Sequence, residues 1–166
     1  YAAHGQMLHA MDSFRRCGDY ASLLDAVTQD AGILLSTLDP ALVLSALEEC
    51  PKDALLAHPL AILVLMRCMF NWSRIPKMLE LRELLQSALD AHPELPPNER
   101  GNLLGECDLI LSFLSYNDIS AMSRLHRSAS SKMTCTHSTR RANEFLIPIG
   151  AKGRRGNPGR PAPEHE

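Results

Sequence analysis

The stretch from Pro59 to Pro93 constrains the fold of this chain more than any other. Its first part, Pro59 to Phe70, is apolar almost all the way round and is interrupted chiefly by Arg67. A helix of that composition has to be buried between neighbours on more than one side. After a break at Asn71 to Arg74, apolar residues return at the spacing of a one-sided amphipathic helix, at Ile75, Met78, Leu81, Leu85 and Ala88. The stretch therefore predicts a helical hairpin that needs further helices to cover it.

A second hairpin is expected at the start of the chain. Residues Ala2 to Arg16 carry apolar side chains at helical spacing, namely Met7, Leu8, Met11 and Phe14. Gly18 is a helix stop and Asp19 is the cap of the next helix, which places Tyr20, Leu23, Leu24 and Val27 on one face. These two helices are therefore joined by a very short turn.

A third hairpin is expected between Asn98, a candidate helix cap, and Met133. Its first helix has an apolar stripe at Leu103, Leu104, Cys107, Ile110, Leu111 and Leu114. Gly101 and Gly105 are expected to allow close helix contact. After a turn at Tyr116 to Asp118, the partner helix presents Ile119, Met122, Leu125 and Ala129.

The segments between these hairpins predict shorter elements. Asp39-Pro40 combines an acidic cap with proline at the first helical position, and Leu42, Val43, Ala46 and Leu47 then form an apolar face. A short helix is expected from Lys52 to Ala57. We also expect Ile33, Leu34 and Leu35 to be buried, and we interpret His58 and His92, each before a proline, as helix-boundary residues.

No motif of catalysis or metal binding stands out. The five cysteines are scattered, at 17, 50, 68, 107 and 135, which predicts reduced structural thiols instead of disulfides. Cys135 and His137 form the closest Cys/His pair but lack the second pair of a zinc site. We expect the acids Glu48, Glu49, Glu106 and Asp108 on solvated helix faces. The sequence thus predicts a protein that is not an enzyme, with no catalytic residues, cofactor or metal.

The longest clean apolar run, Pro59 to Met66, is far shorter than the roughly 20 residues that cross a bilayer. The opening residues also lack the pattern of a secretory signal. The chain does not begin with Met, which suggests a fragment or a processed product. We expect no membrane partner and a cytoplasmic location.

Charge divides the chain in two. Residues 134–166 contain 6 Lys/Arg and 3 Asp/Glu, whereas residues 1–133 contain 11 and 16. Apart from Phe145 to Ile149 this basic tail is rich in Gly, Pro and Arg, which predicts disorder. Such a composition also suggests a frameshift or truncation. Residues 152–161 partly match an arginine-glycine-proline hook for the DNA minor groove, but a nonspecific basic tail fits better because Pro158 stands where the hook needs arginine.

The three turns can be aligned as residues 17–20, 72–75 and 116–119, which indicates a degenerate repeat. The predicted fold is therefore all-α, with stacked antiparallel helical hairpins in a tetratricopeptide-like superhelix over residues 1–133 and a disordered tail over 134–166. Such stacks leave a groove that binds a protein, a peptide or a small effector. Trp72 and Tyr116, at two hairpin tips, are candidates for an interaction edge, although aromatic residues there more often lock the turn.

The segments AAHGQMLHAMDSFRRCGDYASLLDAV, HPLAILVLMRCMFNWSRIPKMLELRELLQSAL and NERGNLLGECDLILSFLSYNDISAMSRLHRSASSKM carry a family resemblance. Together they resemble the helical-repeat region of large LuxR-type bacterial transcriptional regulators of the maltose-activator kind, from Ala2 to Met133. In that family an ATP-binding switch domain precedes the helical region, and a helix-turn-helix domain that binds DNA follows it.

The resemblance implies an interaction or effector-sensing segment of such a regulator, with DNA bound only through a domain absent from this chain. The phosphate-binding pattern G-x-x-x-x-G-K-[ST] does not occur, so no ATP-binding residue carries over. The alternative is a free-standing helical-repeat adaptor that binds a peptide or partner helix.

Overall fold

The computed structural model describes residues 2–133, with side chains from residue 5 onward. Within that range the chain is all-helical and contains no strand. Residues 2–133 form eight α-helices, which are α1 Ala2–Cys17, α2 Tyr20–Asp30, α3 Pro40–Glu49, α4 Lys52–Leu56, α5 Pro59–Asn71, α6 Ile75–Ala91, α7 Pro97–Leu114 and α8 Ile119–Lys132. A single 3-10 turn lies at Leu35–Thr37. The predicted tail, the apolar segment Phe145 to Ile149, the Cys/His pair and the DNA hook fall outside the described residues.

Helix α5 is the centre of the fold, as its composition predicts. It packs against α2, α4, α6, α7 and the 3-10 turn. Every residue from Ala61 to Met69 is buried, so the helix has no solvent face over more than two turns. Helix α6 buries a single stripe, which consists of Met78, Leu81, Leu85, Ala88 and Leu89.

Three hairpins account for six of the eight helices. The pairs α1–α2, α5–α6 and α7–α8 are joined by short turns and pack together, and such short turns make each pair antiparallel. Contacts of α2 with α5 and of α5 with α7 link the hairpins in chain order. The all-α prediction is confirmed, whereas the tetratricopeptide-like superhelix stays a prediction.

The first two hairpin turns share one backbone motif. Gly18 has φ +68° and Ser73 has φ +56°, both in the left-handed region. In each turn this residue donates its N–H to the carbonyl three residues back, and the next residue donates to the carbonyl five residues back, at Phe14 and Met69. This is the Schellman arrangement of a helix C-terminus. The third turn lacks a left-handed residue of this kind.

The shared turn predicts opposite effects for two substitutions. Ser73→Gly should raise the free energy of unfolding by about 0.5–1 kcal/mol, because glycine adopts a left-handed φ without the strain of a Cβ. Gly18→Ala should lower it by about 1 kcal/mol for the same reason. Urea unfolding measures both. Ser115→Gly is the control, because Ser115 has φ −95° and should gain nothing; an equal gain there would contradict the explanation.

Several boundary predictions are confirmed in atomic detail. Asp19 accepts the N–H of Ser22, and Asp39 accepts the N–H of Ala41 with Pro40 at the first helical position. His58 and His92 lie at the start of α5 and the end of α6. The Nε2 of His92 is 3.1 Å from the carbonyl oxygen of Leu56, so this boundary residue also ties α6 to α4.

Three predictions at helix ends and loops are wrong. Of Ile33, Leu34 and Leu35, which were expected to be buried, only Leu35 is, and Ile33 is 51 % exposed. The Asp30 carboxylate accepts the N–H groups of Leu34 and Leu35 and turns the chain tightly there. Leu42 is exposed on α3. Asn98 does not cap α7. The helix begins at Pro97, which suits the first helical position, and its cap residue is Pro96.

Helices α7 and α8 come into close contact at Gly101 and Gly105, as expected. A Cβ on Gly101 would lie 2.6 Å from the carbonyl oxygen of Lys132, so any larger residue would push the two backbones apart. One turn away, Asp108 accepts hydrogen bonds of 2.6 Å from Ser128 Oγ and Lys132 Nζ. The predicted solvated face for Asp108 is therefore wrong: the carboxylate is partly buried between the two helices.

Candidate functional site

The predicted interaction edge depends on where the tips of the second and third hairpins lie. Phe70, near the end of α5, and Phe113, near the end of α7, have ring centroids 6.0 Å apart. Phe113 also meets the ring of His126 edge to face, at 6.3 Å. Because α5 and α7 end side by side, the turns that follow them are at the same end of the molecule. Trp72 and Tyr116 follow these two helix ends, and their forming one interaction edge stays a prediction.

The two predicted residues have different environments. Trp72 is half-buried against the core, and its Nε1 donates a hydrogen bond of 3.3 Å to the carbonyl oxygen of Ser36. Its indole thus locks the α5–α6 turn onto the segment before α3. Tyr116 is 71 % exposed, and Ile119, three residues later, is 75 % exposed. Only Tyr116 of the predicted pair is available to a partner.

Ile119 is the residue of this edge that sequence reasoning assigned to the wrong surface. Its spacing with Met122 and Leu125 predicts a buried position, yet only Ala129 of α8 is fully buried. The carboxylate of Asp118 accepts the N–H of Ala121, so α8 begins directly after the turn. Its first residue, Ile119, therefore lies beyond the end of α7. We define the turn edge as Tyr116 and Ile119, the two exposed apolar residues of this turn.

A buried ion pair joins α5 to α7. The Nη1 of Arg67 lies 3.7 Å from Oε2 of Glu106, and the two residues are 5 % and 8 % exposed. Within the described residues, Arg67 Nε and Nη1 and Glu106 Oε2 have no hydrogen-bond partner. The expectation of a solvated Glu106 is wrong. The sequence held a usable signal, because a buried arginine in an all-apolar helix requires a counter-charge, and Glu106 shares its helix face with Leu103 and Ile110.

Burial raises the pKa of Glu106 above its ordinary value, and the Arg67 guanidinium offsets part of that increase. The folded state therefore holds the proton more tightly than the unfolded chain does. The stabilisation from Glu106 is fully present below the ordinary glutamate pKa and is lost as pH rises through the higher folded pKa.

This linkage can be tested with the variant Arg67→Met/Glu106→Leu, which lacks both charges. The stability of the wild type relative to this variant should fall as pH rises from about 4.5, the ordinary value, through the raised pKa of Glu106. Urea unfolding of both proteins from pH 3.5 to 7 gives this difference, in which other carboxylates cancel. A difference that stays constant with pH would show that Glu106 titrates normally.

The thiols of the core have low reactivity. Cys50, Cys68 and Cys107 are buried, whereas Cys17 is exposed, and all four are free. Burial raises the pKa of Cys68 to about 12 and that of Cys107 to about 11. Because the thiolate is the reactive form, Cys68 and Cys107 are poor nucleophiles at neutral pH.

Thiol labelling should separate these positions clearly. In a Cys135→Ser background, Cys17 should react with iodoacetamide at the rate of a free thiol, while Cys68 and Cys107 react on the order of 10³-fold more slowly because they require unfolding. Mass spectrometry of timed digests measures each rate. Comparable rates for Cys17 and Cys68 would mean that α5 opens far more readily than its burial indicates.

An apolar recess lies where α1, α2 and α3 meet α5. Side chains from all four helices line it, and none of them is charged or carries a hydroxyl or amide: Met11, Leu23, Leu24, Val27, Val43, Ala46, Leu47, Cys50 and Leu65 are among them. Its volume of about 10 Å³ has room for no more than about one water molecule, so the recess is a packing gap in the core. Between residues 2 and 133, no group of three or more His, Cys, Asp or Glu side chains is placed to hold a metal ion.

Comparison of the chain with protein-family models, with curated proteins and with solved structures finds no match. No helix among residues 2–133 combines the length and the apolar character that crossing a membrane requires.

Proposed function

We propose that the described helices form a non-enzymatic interaction module that binds a protein segment at the turn edge. The observation that carries this proposal is the exposure of two large apolar side chains, Tyr116 and Ile119, on a single turn. Tyr116 follows closely after Phe113, whose ring contacts those of Phe70 and His126. Aromatic and aliphatic anchors of this kind dominate the binding energy of protein interfaces.

The surroundings of the turn edge favour a rigid platform. Trp72 is hydrogen-bonded to the Ser36 carbonyl, and α5 beneath it is buried on all sides. A partner that binds there would meet side chains whose backbone is already ordered, so little conformational entropy would be lost on binding. This property suits a scaffold between other domains.

We further propose that this module is the helical region of a cytoplasmic LuxR-type transcriptional regulator. Support comes from the resemblance of residues 2–133 and from the succession of helical hairpins. On this proposal the turn edge contacts a neighbouring domain of the same regulator, and effector binding elsewhere would alter that contact.

The first experiment is to sequence the source gene on both sides of this chain and translate it in all frames. An upstream ATP-binding domain and a helix-turn-helix in any downstream frame would support the regulator. An immediate start and stop, with neither domain nearby, would overturn it and leave the free-standing adaptor.

The contact itself is tested in the purified longer protein with a photoreactive phenylalanine analogue at position 116. It should cross-link to one peptide of a neighbouring domain, and Ile119→Ser should reduce the yield. Position 42 is the matched control, because Leu42 is also an exposed apolar residue on a different helix. Equal cross-linking from 42 and 116 would contradict a specific turn edge, whichever domains the gene encodes.

A further inference from the structure

The outer face of α8 has an unusual composition for a helix at the end of a chain of hairpins. Helix α8 packs chiefly on α7 and turns its other side to solvent. Ile119 at the start of α8 and His126 are exposed as well, but they flank this side. The exposed positions at its centre are serine and arginine, namely Ser120, Ser123, Arg124, Arg127, Ser130 and Ser131. The helix contains no acidic residue. We call these six residues the α8 outer face.

The cations of this face are not used in ion pairs. Arg15, Arg16, Lys77, Arg82, Arg100 and Lys132 each pair with a carboxylate. Arg124 and Arg127 form no ion pair with any carboxylate in residues 2–133, and Arg127 donates only to the Ser123 carbonyl. Of the acids in contact with α8, Asp108 holds Lys132 against α7 and Asp118 caps the helix.

The charge of the chain changes sign where α8 begins. Residues 1–118 contain 8 Lys/Arg and 16 Asp/Glu, whereas residues 119–166 contain 9 and 3. A net surplus of eight negative charges is thus followed by a surplus of six positive ones. This separation directs polyanions to the C-terminal part of the molecule and away from the rest.

From these observations we infer that the α8 outer face contacts the phosphate backbone of nucleic acid without reading base sequence. Arginine and serine are residue types that donate hydrogen bonds to phosphate oxygens. The centre of the face has no large apolar side chain, which distinguishes it from a surface for a partner helix or a lipid bilayer. The inference goes beyond the proposed function, because it concerns a different surface and adds a nucleic-acid contact within this chain.

The test measures binding of the full chain to a fluorescent 20-base-pair DNA duplex by anisotropy between 50 and 200 mM salt. Each phosphate contact contributes about 0.9 to the slope of log affinity against log salt. Arg124→Gln/Arg127→Gln should therefore reduce the slope by about 1.8. A second duplex of different base order should bind equally.

Lys52→Gln/Arg74→Gln is the matched control. It removes two exposed cations that also lack an ion pair within residues 2–133, so it changes net charge equally and should leave the slope unchanged. Arg154→Gln/Arg155→Gln tests the sequence after α8. The inference is overturned if the Arg154→Gln/Arg155→Gln variant alone reduces the slope. It is also overturned if the control variant reduces the slope as much as the α8 variant does, or if the chain shows no salt-dependent binding.

An acidic protein surface is a second kind of polyanion that arginine side chains bind. Polyglutamate with the same number of charges serves as its probe in competition with the duplex. The inference expects the duplex to bind more tightly, and equal or tighter binding of polyglutamate would replace nucleic acid by an acidic polypeptide as the partner.

Discussion

Replacing Glu106 by leucine should lower the free energy of unfolding by about 3–5 kcal/mol, because it leaves the Arg67 guanidinium buried without a counter-charge. Arg67 is only 5 % exposed, so water does not solvate the charge that would be left unpaired. Arg67→Met should cost less, since the stranded Glu106 carboxyl can take up a proton and become neutral. Burial already raises the pKa of Glu106 and so favours the neutral carboxyl.

The double variant Arg67→Met/Glu106→Leu should be as stable as the wild type or more stable by about 1–4 kcal/mol. The reason lies in the geometry of the pair: the two charged atoms are 3.7 Å apart, and three of the buried polar atoms have no hydrogen-bond partner in the described residues. The mutual attraction therefore offsets the cost of burial poorly. Apolar side chains of similar size would remove that cost.

Urea unfolding of the four proteins at pH 7 gives the double-mutant cycle. If Arg67 and Glu106 are strongly coupled, the double variant is far more stable than the sum of the two single-variant losses in free energy of unfolding predicts. If the losses simply add, Arg67 and Glu106 are independent and the ion pair does not hold α5 and α7 together. A buried pair kept in spite of its cost would fit a role in fixing the register of α7 on α5.

Alanine scanning should give different patterns on α5 and α6. Truncation of Ile62, Leu63 or Leu65 should cost about 2–5 kcal/mol each, although these residues point in different directions around the helix. On α6 only the stripe should respond, with Leu81→Ala and Leu85→Ala costing about 2–5 kcal/mol.

Leu60 and Leu79 are the matched controls, because they are leucines on the same two helices and are 42 % and 40 % exposed. Their replacement by alanine should cost under about 1 kcal/mol. The measurement is again urea unfolding of each variant. A helical period in the α5 losses between positions 61 and 69 would mean that one side of α5 is solvated, contrary to its position at the centre of the fold.

The sequence by itself determined where the helices lie. Asp19, Asp39 and the prolines at 40 and 59 act within a few residues, so their effect can be worked out without knowing the rest of the molecule. The all-round apolar composition of α5 likewise required neighbours on every side. For these features the local chemistry is sufficient.

The tertiary structure alone decided which faces are covered. Periodicity puts Ile119 in line with Met122 and Leu125, but burial depends on whether α7 extends far enough to cover it, and it does not. Trp72 is drawn inward by the carbonyl of Ser36, 36 residues earlier in the chain, and Glu106 by Arg67 on another helix. Helical spacing predicts which side chains share a helix face, whereas their solvent exposure and charge pairing depend on residues that are distant in sequence.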